Sequence, residues 1–196
     1  MGSSKQIHMT NHQEIEVRFL EIDKDALIAR LHEFGAVDEG EKMLEEVICY
    51  DKDLLWRDGG TKILRVRKVG ERVKLSYKDR PGGDTVDGTI EYEFEAPSVQ
   101  TALLFLEALG YPAYRHQQKL RHTFMLDGVM VDIDTWPRIP TYVELEGESE
   151  QALKDAAHKL GLEWVDAVTD NPRKVIEDRY GIPVGTMTWF TFERFE

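Results

Sequence analysis

Eight short segments of the chain alternate with period two, and in seven of them the polar positions are nearly all charged and sorted by sign. Successive side chains of a strand point to opposite faces, so each segment reads as a strand with one apolar and one polar side. The segments are 14–20 (EIEVRFL), 47–50 (VICY), 63–69 (ILRVRKV), 72–78 (RVKLSYK), 89–95 (TIEYEFE), 119–126 (KLRHTFML), 129–135 (VMVDIDT) and 141–146 (TYVELE). Four runs place carboxylates together: Glu14 with Glu16, Glu91 with Glu93 and Glu95, Asp132 with Asp134, and Glu144 with Glu146. Three place cations together: Arg65 with Arg67, Lys74 with Lys78, and Lys119 with Arg121. Arg18 is the main exception to the sorting, and Ser76 and Thr123 are the few neutral positions.

The connections set the class. Helices are predicted over 23–35, 98–110 and 149–161, each opening at an Asp or Ser cap and closing at Gly. A shorter one is predicted over 171–180, with Pro172 in its first turn and Gly181 beyond its end. Val69-Gly70-Glu71 and Asp127-Gly128 mark tight hairpins, and Pro81-Gly-Gly-Asp84 marks a loop. Strand, helix, several strands, helix, several strands, helix is an α+β order, not the regular alternation of a parallel sheet. A flexible lead is expected over 1–12 and a single domain over 13–196. The aromatic stretch 187–195 (MTWFTFERF) is expected as a late strand, a lid or a dimer contact.

An open antiparallel sheet with a solvated polar face is the usual outcome of such alternation. Sign sorting favours instead a closed antiparallel β-barrel with the charged face inward and the apolar face outward beneath the helices. Unpaired charge in so confined a space is costly, so the interior needs ligands as well as ion pairs. Carboxylate oxygens suit Mg²⁺ or Mn²⁺, hard cations commonly bridged to phosphates. Arg and Lys suit phosphate oxygens, and Arg offers a bidentate fork. A tunnel holding both kinds of group suits a metal-bound polyphosphate.

At these residues the chain resembles the CYTH superfamily, the triphosphate tunnel metalloenzymes, which includes class IV adenylyl cyclases, thiamine triphosphatases and inorganic triphosphatases. The family's E-x-E-x-K strand is matched by Glu14-Ile-Glu-Val-Arg18, with Arg in place of Lys. Arg65-Val-Arg67 resembles its R-x-R strand, Lys78 the lysine that follows, Glu91-Tyr-Glu93 its second E-x-E and Lys119-Leu-Arg121 its K-x-R. Asp134 and Glu144-Leu-Glu146 resemble its late aspartate and acidic strand. The likeness runs from Glu14 to Gly161.

The resemblance implies an eight-stranded antiparallel tunnel. It implies that Glu14, Glu16, Asp132, Asp134, Glu144 and Glu146, with Glu91 or Glu93, hold one or two Mg²⁺ or Mn²⁺ ions, one neutralising phosphates and a second activating water. It implies that Arg18, Arg65, Arg67, Lys74, Lys78, Lys119 and Arg121 bind phosphate oxygens, with Arg18, Lys78 and Arg121 as the catalytic cations. Hydrolysis of tripolyphosphate or of a nucleoside or organic triphosphate is the first expectation. A class IV adenylyl cyclase, forming cyclic AMP and pyrophosphate, is the second, and a non-catalytic polyphosphate- or nucleotide-binding module the third. The His-Phe-x-Gly-x-Lys lead of one cyclase subgroup is replaced here by Asn11-His-Gln13. A homodimer is common among similar proteins.

Composition narrows the partners. With 25 Lys and Arg against 37 Asp and Glu, the net charge is -12, which argues against broad nucleic-acid binding. No run approaches the roughly 18 apolar residues of a membrane span, and the start of the chain has no apolar signal region. Cys49 is the single cysteine, so no intramolecular disulfide forms and a reducing, cytoplasmic setting is expected. The histidines lack metal-ligand spacing, His122 falls on the apolar side of its strand, and Gly82-Gly83 lacks the lysine of a P-loop. The acid excess argues at first against a polyanionic substrate. Sorted by strand, it becomes a predicted metal requirement.

Overall fold

The computed structural model describes residues 15–79 and 90–196. Glu14, the expected lead and the Pro81-Gly-Gly-Asp84 loop lie outside the described residues. The chain runs β1 (Ile15–Phe19), α1 (Lys24–Glu33), β2 (Val37–Cys49), α2 (Leu55–Gly59), β3 (Lys62–Val69), β4 (Arg72–Asp79), β5 (Ile90–Ala96), α3 (Val99–Ala108) and β6 (Ala113–Leu126). It continues through β7 (Val129–Thr135), β8 (Tyr142–Gly147), α4 (Glu150–Leu160), a 3₁₀ turn (Trp164–Asp166), α5 (Pro172–Tyr180) and β9 (Trp189–Phe190). The four predicted helices are α1, α3, α4 and α5. Each is capped as its sequence suggests, by Asp23, Ser98, Ser149 or Asn171 accepting from a backbone N–H three residues on.

Two strands reach further than their alternation suggests. β2 starts at Val37, not at 47: its register with β6 shifts between Asp38 and Gly40 and then runs unbroken to Ile48, but residues 41–46 (EKMLEE) do not alternate apolar and polar. β6 starts at Ala113, not at 119, through a polar stretch (AYRHQQ) with no apolar alternation. The short α2 is also absent from the sequence reading; Asp51 starts it by accepting from the N–H groups of Leu55 and Trp56. The β6–β7 turn follows its signal, with Asp127 and Gly128 both at positive φ, as a two-residue hairpin of this kind requires.

The sheet runs β1-β8-β7-β6-β2-β3-β4-β5 with antiparallel neighbours throughout, and β9 adds a parallel contact beside β6. The closed barrel expected from the sequence is corrected to a sheet with two edges, β1 and β5. Part of the reason is local. On its edge away from β8, Arg18 of β1 exchanges two backbone hydrogen bonds of 2.8 Å with Val168, so that position is already paired.

Three cores hold the sheet. α1 and α4 cover the apolar face of β1, β8, β7 and the end of β6, burying Phe19, Leu31, Phe124, Val131, Leu145 and Leu153. α3 covers β2 to β4 over Val47, Leu64, Val66, Leu75, Ala102 and Leu106. The third core lies at one end of the charged face, where Ile176, Val184, Met187 and Phe190 pack on Trp136, Ile139 and Tyr142. Of the three expectations for the aromatic tail, the strand is realised: Phe190 is fully buried, and Trp189 stacks on His116 at 4.1 Å. Among the described residues no helix is long and apolar enough to cross a membrane.

Candidate functional site

Strand register assembles the charged side chains in rows. Arg18 stands opposite Glu144, Glu144 opposite Asp132, and Asp132 opposite Thr123, so one row crosses β1, β8, β7 and β6. Arg18 Nε donates to Glu144 Oε1 (2.7 Å), Nη2 to Glu16 Oε1 (3.0 Å) and Nη1 to the Asp170 carbonyl (2.7 Å). Arg121 donates from Nε to Asp134 Oδ1 (2.7 Å) and from Nη2 to Asp134 Oδ2 (2.6 Å) and Glu144 Oε2 (2.5 Å); its Nη1 meets Asp132. Lys119 Nζ reaches Asp134 Oδ2 at 2.6 Å and sits 5.0 Å above the Trp136 ring. Thr123 Oγ1 donates to Asp132 Oδ1 at 2.6 Å. Arg18, Lys119, Asp132, Asp134 and Glu144 are all buried.

A second group gathers around a residue the sequence reading passed over. Glu46 of β2 accepts from Arg67 Nε (2.6 Å) and Arg65 Nη1 (3.2 Å) on one oxygen, and from Gln117 Nε2 (2.6 Å) on the other. Gln117 in turn accepts from Arg115, which donates to the Val184 carbonyl. Glu46, Arg115 and Gln117 were illegible because Glu46 shares its strand face with apolar Leu44 and Ile48, and the other two lie in the unpatterned start of β6. The available signal was register, since Glu46 sits directly across from Arg67. At the β5 edge the third group opens to solvent: Lys74 pairs with Glu93 (2.5 Å) and Lys78 with Glu91 (2.9 Å).

Burial and neighbouring charge pull these groups apart electrostatically. At Glu144, burial favours the neutral acid, but Arg18 and Arg121 outweigh it and hold the carboxyl below its usual range. Glu46 behaves alike: burial is overcome by Arg67, Arg65 and Lys119, and its pKa falls well below normal. Asp132 goes the other way, pushed up because burial exceeds the attraction of Arg121. Among the cations, burial and Arg67 lower Arg65 to about 10, and burial and Arg121 lower Lys119, despite the carboxylates nearby.

The predicted residues Glu16, Arg18, Arg65, Arg67, Lys74, Lys78, Glu91, Glu93, Lys119, Arg121, Asp132, Asp134, Glu144 and Glu146 thus share one face of one sheet. Glu91 and Glu93 sit on the edge strand opposite β1 in the sheet order, each paired with a lysine of β4. Among the described residues no group of three His, Cys, Asp or Glu side chains is gathered to hold a metal. The donor chemistry nevertheless fits a hard divalent cation. Glu16 lies directly opposite Glu146 and Asp132 opposite Glu144, which sets carboxylate oxygens of the kind such a cation takes side by side, with Arg18 and Arg121 paired to Glu16, Asp132 and Glu144 in this structure. His122 is packed as expected, stacking on Phe124 at 4.4 Å with Nε2 2.7 Å from Asp38. Cys49 is buried, and burial pushes its thiol up to about 12.

The CYTH domain matches residues 12–169. No curated protein matches the chain. Among solved structures, the chain is similar to a conserved hypothetical protein of Pyrococcus furiosus, with 22% identity, a TM-score of 0.67, and coverage of 83% of this chain and 99% of that one. It is similar to a candidate adenylate cyclase of Vibrio parahaemolyticus, with 16% identity, 85% and 98% coverage, and a TM-score of 0.71. It is also similar to a candidate adenylyl cyclase of Hippeastrum with a dominant triphosphatase activity, with 15% identity, 86% and 95% coverage, and a TM-score of 0.61. At these identities the likeness establishes the fold alone.

Proposed function

Because the chain belongs to the CYTH domain family, whose members include triphosphatases and adenylyl cyclases, we propose that its charged face binds a triphosphate and hydrolyses it with Mg²⁺ or Mn²⁺. The observation that carries this reading is the crowding of Arg65 and Arg67 on β3 with Lys119 and Arg121 on β6, the two strands that flank β2, where burial first and then a cationic neighbour lower Arg65 and Lys119. A polyanion laid across β3 and β6 relieves that crowding.

Arg18 and Arg121 both have their guanidinium nitrogens engaged by protein acceptors. On binding, carboxylates turn to the cation and Arg121 and Lys119 turn to phosphate, which keeps the buried charge balanced. Arg18, held by Glu144, Glu16 and the Asp170 carbonyl, orients the two carboxylates. Lys74 and Lys78, at the exposed edge, receive the outer phosphates, and Lys78 stabilises charge developing there. Glu16, Glu144 and Glu146 would hold the cation, with Glu14 adjoining on the chain and Asp132 and Asp134 alongside. When bound, the ion supplies neutralisation of the phosphates and polarisation of the attacking oxygen.

Tripolyphosphate and ATP, each incubated with Mg²⁺ or Mn²⁺, provide the test. Metal-dependent orthophosphate release that EDTA abolishes is the expected result. Cyclic AMP from ATP would replace the hydrolase reading with a cyclase, and no turnover of either compound would remove both. A folded Glu144→Gln protein with intact metal-dependent turnover would refute the metal assignment.

A further inference from the structure

Glu46 has no part in the reactions considered above, yet it is among the most buried charges of the molecule, at 3% exposure. A carboxylate this deep is tolerated only when both oxygens are satisfied. One accepts from Arg65 Nη1 and Arg67 Nε, the other from Gln117 Nε2. Gln117 is held by Arg115 Nε at 2.9 Å, and Arg115 Nη1 by the Val184 carbonyl at 2.9 Å. A continuous line of donors and acceptors therefore runs from the C-terminal segment through β6 and β2 to the two arginines of β3. Ser76 adds a contact of 3.3 Å to Arg65 Nε. Arg65 thus uses Nε and Nη1 and Arg67 uses Nε, and among the described residues Arg67 Nη1 and Nη2 and Arg65 Nη2 take no part in this network.

Resting on the triphosphate reading, we propose that Glu46 is a positioning residue: it fixes the forks of Arg65 and Arg67 so that both address one phosphate group. Its charge also offsets part of the positive field of Arg65, Arg67 and Lys119, so ground-state phosphate is held less tightly than it would be by the cations alone. An amide cannot replace it. Glutamine offers one acceptor oxygen and two donors, so it cannot serve the arginines and Gln117 together.

The expected kinetic signature separates positioning from simple binding. With tripolyphosphate and Mg²⁺, Glu46→Gln should lower kcat at least tenfold while KM stays level or falls. Glu46→Asp, which restores the charge, should give a kcat above that of the amide variant. A raised KM with unchanged kcat, no change in either constant, or an aspartate variant no better than the amide would overturn the proposal. A readout without substrate stands beside the kinetics: the Arg67 Nε–H resonance, assigned by its loss in Arg67→Lys, should exchange slowly in the native protein and rapidly in Glu46→Gln. Equal exchange in the two proteins overturns the proposal. If the native protein turns over no triphosphate while this resonance responds as stated, the functional reading fails and the orienting role of Glu46 stands.

Discussion

The two halves of the sheet carry the same kind of charged face and treat it differently. Along β1, β8, β7 and β6, α1 and α4 seal the apolar side while the C-terminal core covers one end of the charged side. There Asp134 is fully buried and Arg18 is 1% exposed. Along β2 to β5, α3 and the short α2 pack on the sheet, and the edge strand leaves Ile90, Tyr92 and Phe94 between 44% and 58% exposed. Identical ion-pair chemistry then has unequal weight. A buried pair that loses one partner strands the other charge in a low-dielectric interior, whereas an exposed pair is screened and worth little. The covered half holds its charges in buried pairs, whereas the β4 and β5 edge leaves the pairs of Lys74 with Glu93 and Lys78 with Glu91 open to solvent.

This contrast can be broken by substitution. The largest effect is expected from Glu144→Gln, which removes an acceptor shared by Arg18 and Arg121; it should cost about 3–5 kcal/mol in denaturant unfolding and abolish triphosphate turnover. Phe124→Ala, in the core beneath the same half, should cost about 3–5 kcal/mol without altering metal dependence. Acid should act through the buried carboxylates. Glu46 and Glu144 have folded pKa values below their unfolded ones, so their contribution is present above the ordinary carboxylate range and lost as pH falls. Asp132 is raised and works in the opposite direction, favouring the fold as it takes up its proton. Two carboxylates against one make the net loss begin near pH 5, about where such linkage sets in, and unfolding midpoints measured downward from pH 7 should fall less steeply in Glu46→Gln.

At the open edge, Lys78→Ala should raise KM for tripolyphosphate about tenfold, one charge-assisted contact, while changing stability by no more than about 1 kcal/mol. Phe94→Ser, on exposed β5, should fall within about 0.5 kcal/mol of the native protein. If Lys78→Ala unfolded the protein as readily as Glu144→Gln, the two halves would not differ as argued.

Much of the site was legible because alternation and charge are local properties. Arg65 and Arg67, Lys119 and Arg121, and Asp132 and Asp134 had to share a face as soon as their segments were strands, wherever those strands went. Helix starts were equally local, since Asp23, Ser98, Ser149 and Asn171 act on backbone groups three residues away. Pairing across the sheet was not. Arg18 meets Glu144 across 126 positions of sequence, and Glu46 became a partner of Arg67 only through the pairing of β2 with β3, its own strand face carrying apolar Leu44 and Ile48. Closure was misjudged for a related reason: no pattern within β1 indicates that Val168 pairs at Arg18 on the edge a barrel would use. Residue order thus specifies which side chains stand together on one strand, because backbone geometry imposes the period of two. Which strands adjoin, how deeply each charge is buried and which partner it finds depend on register and coverage across distant segments, where burial and Coulomb energy take their values.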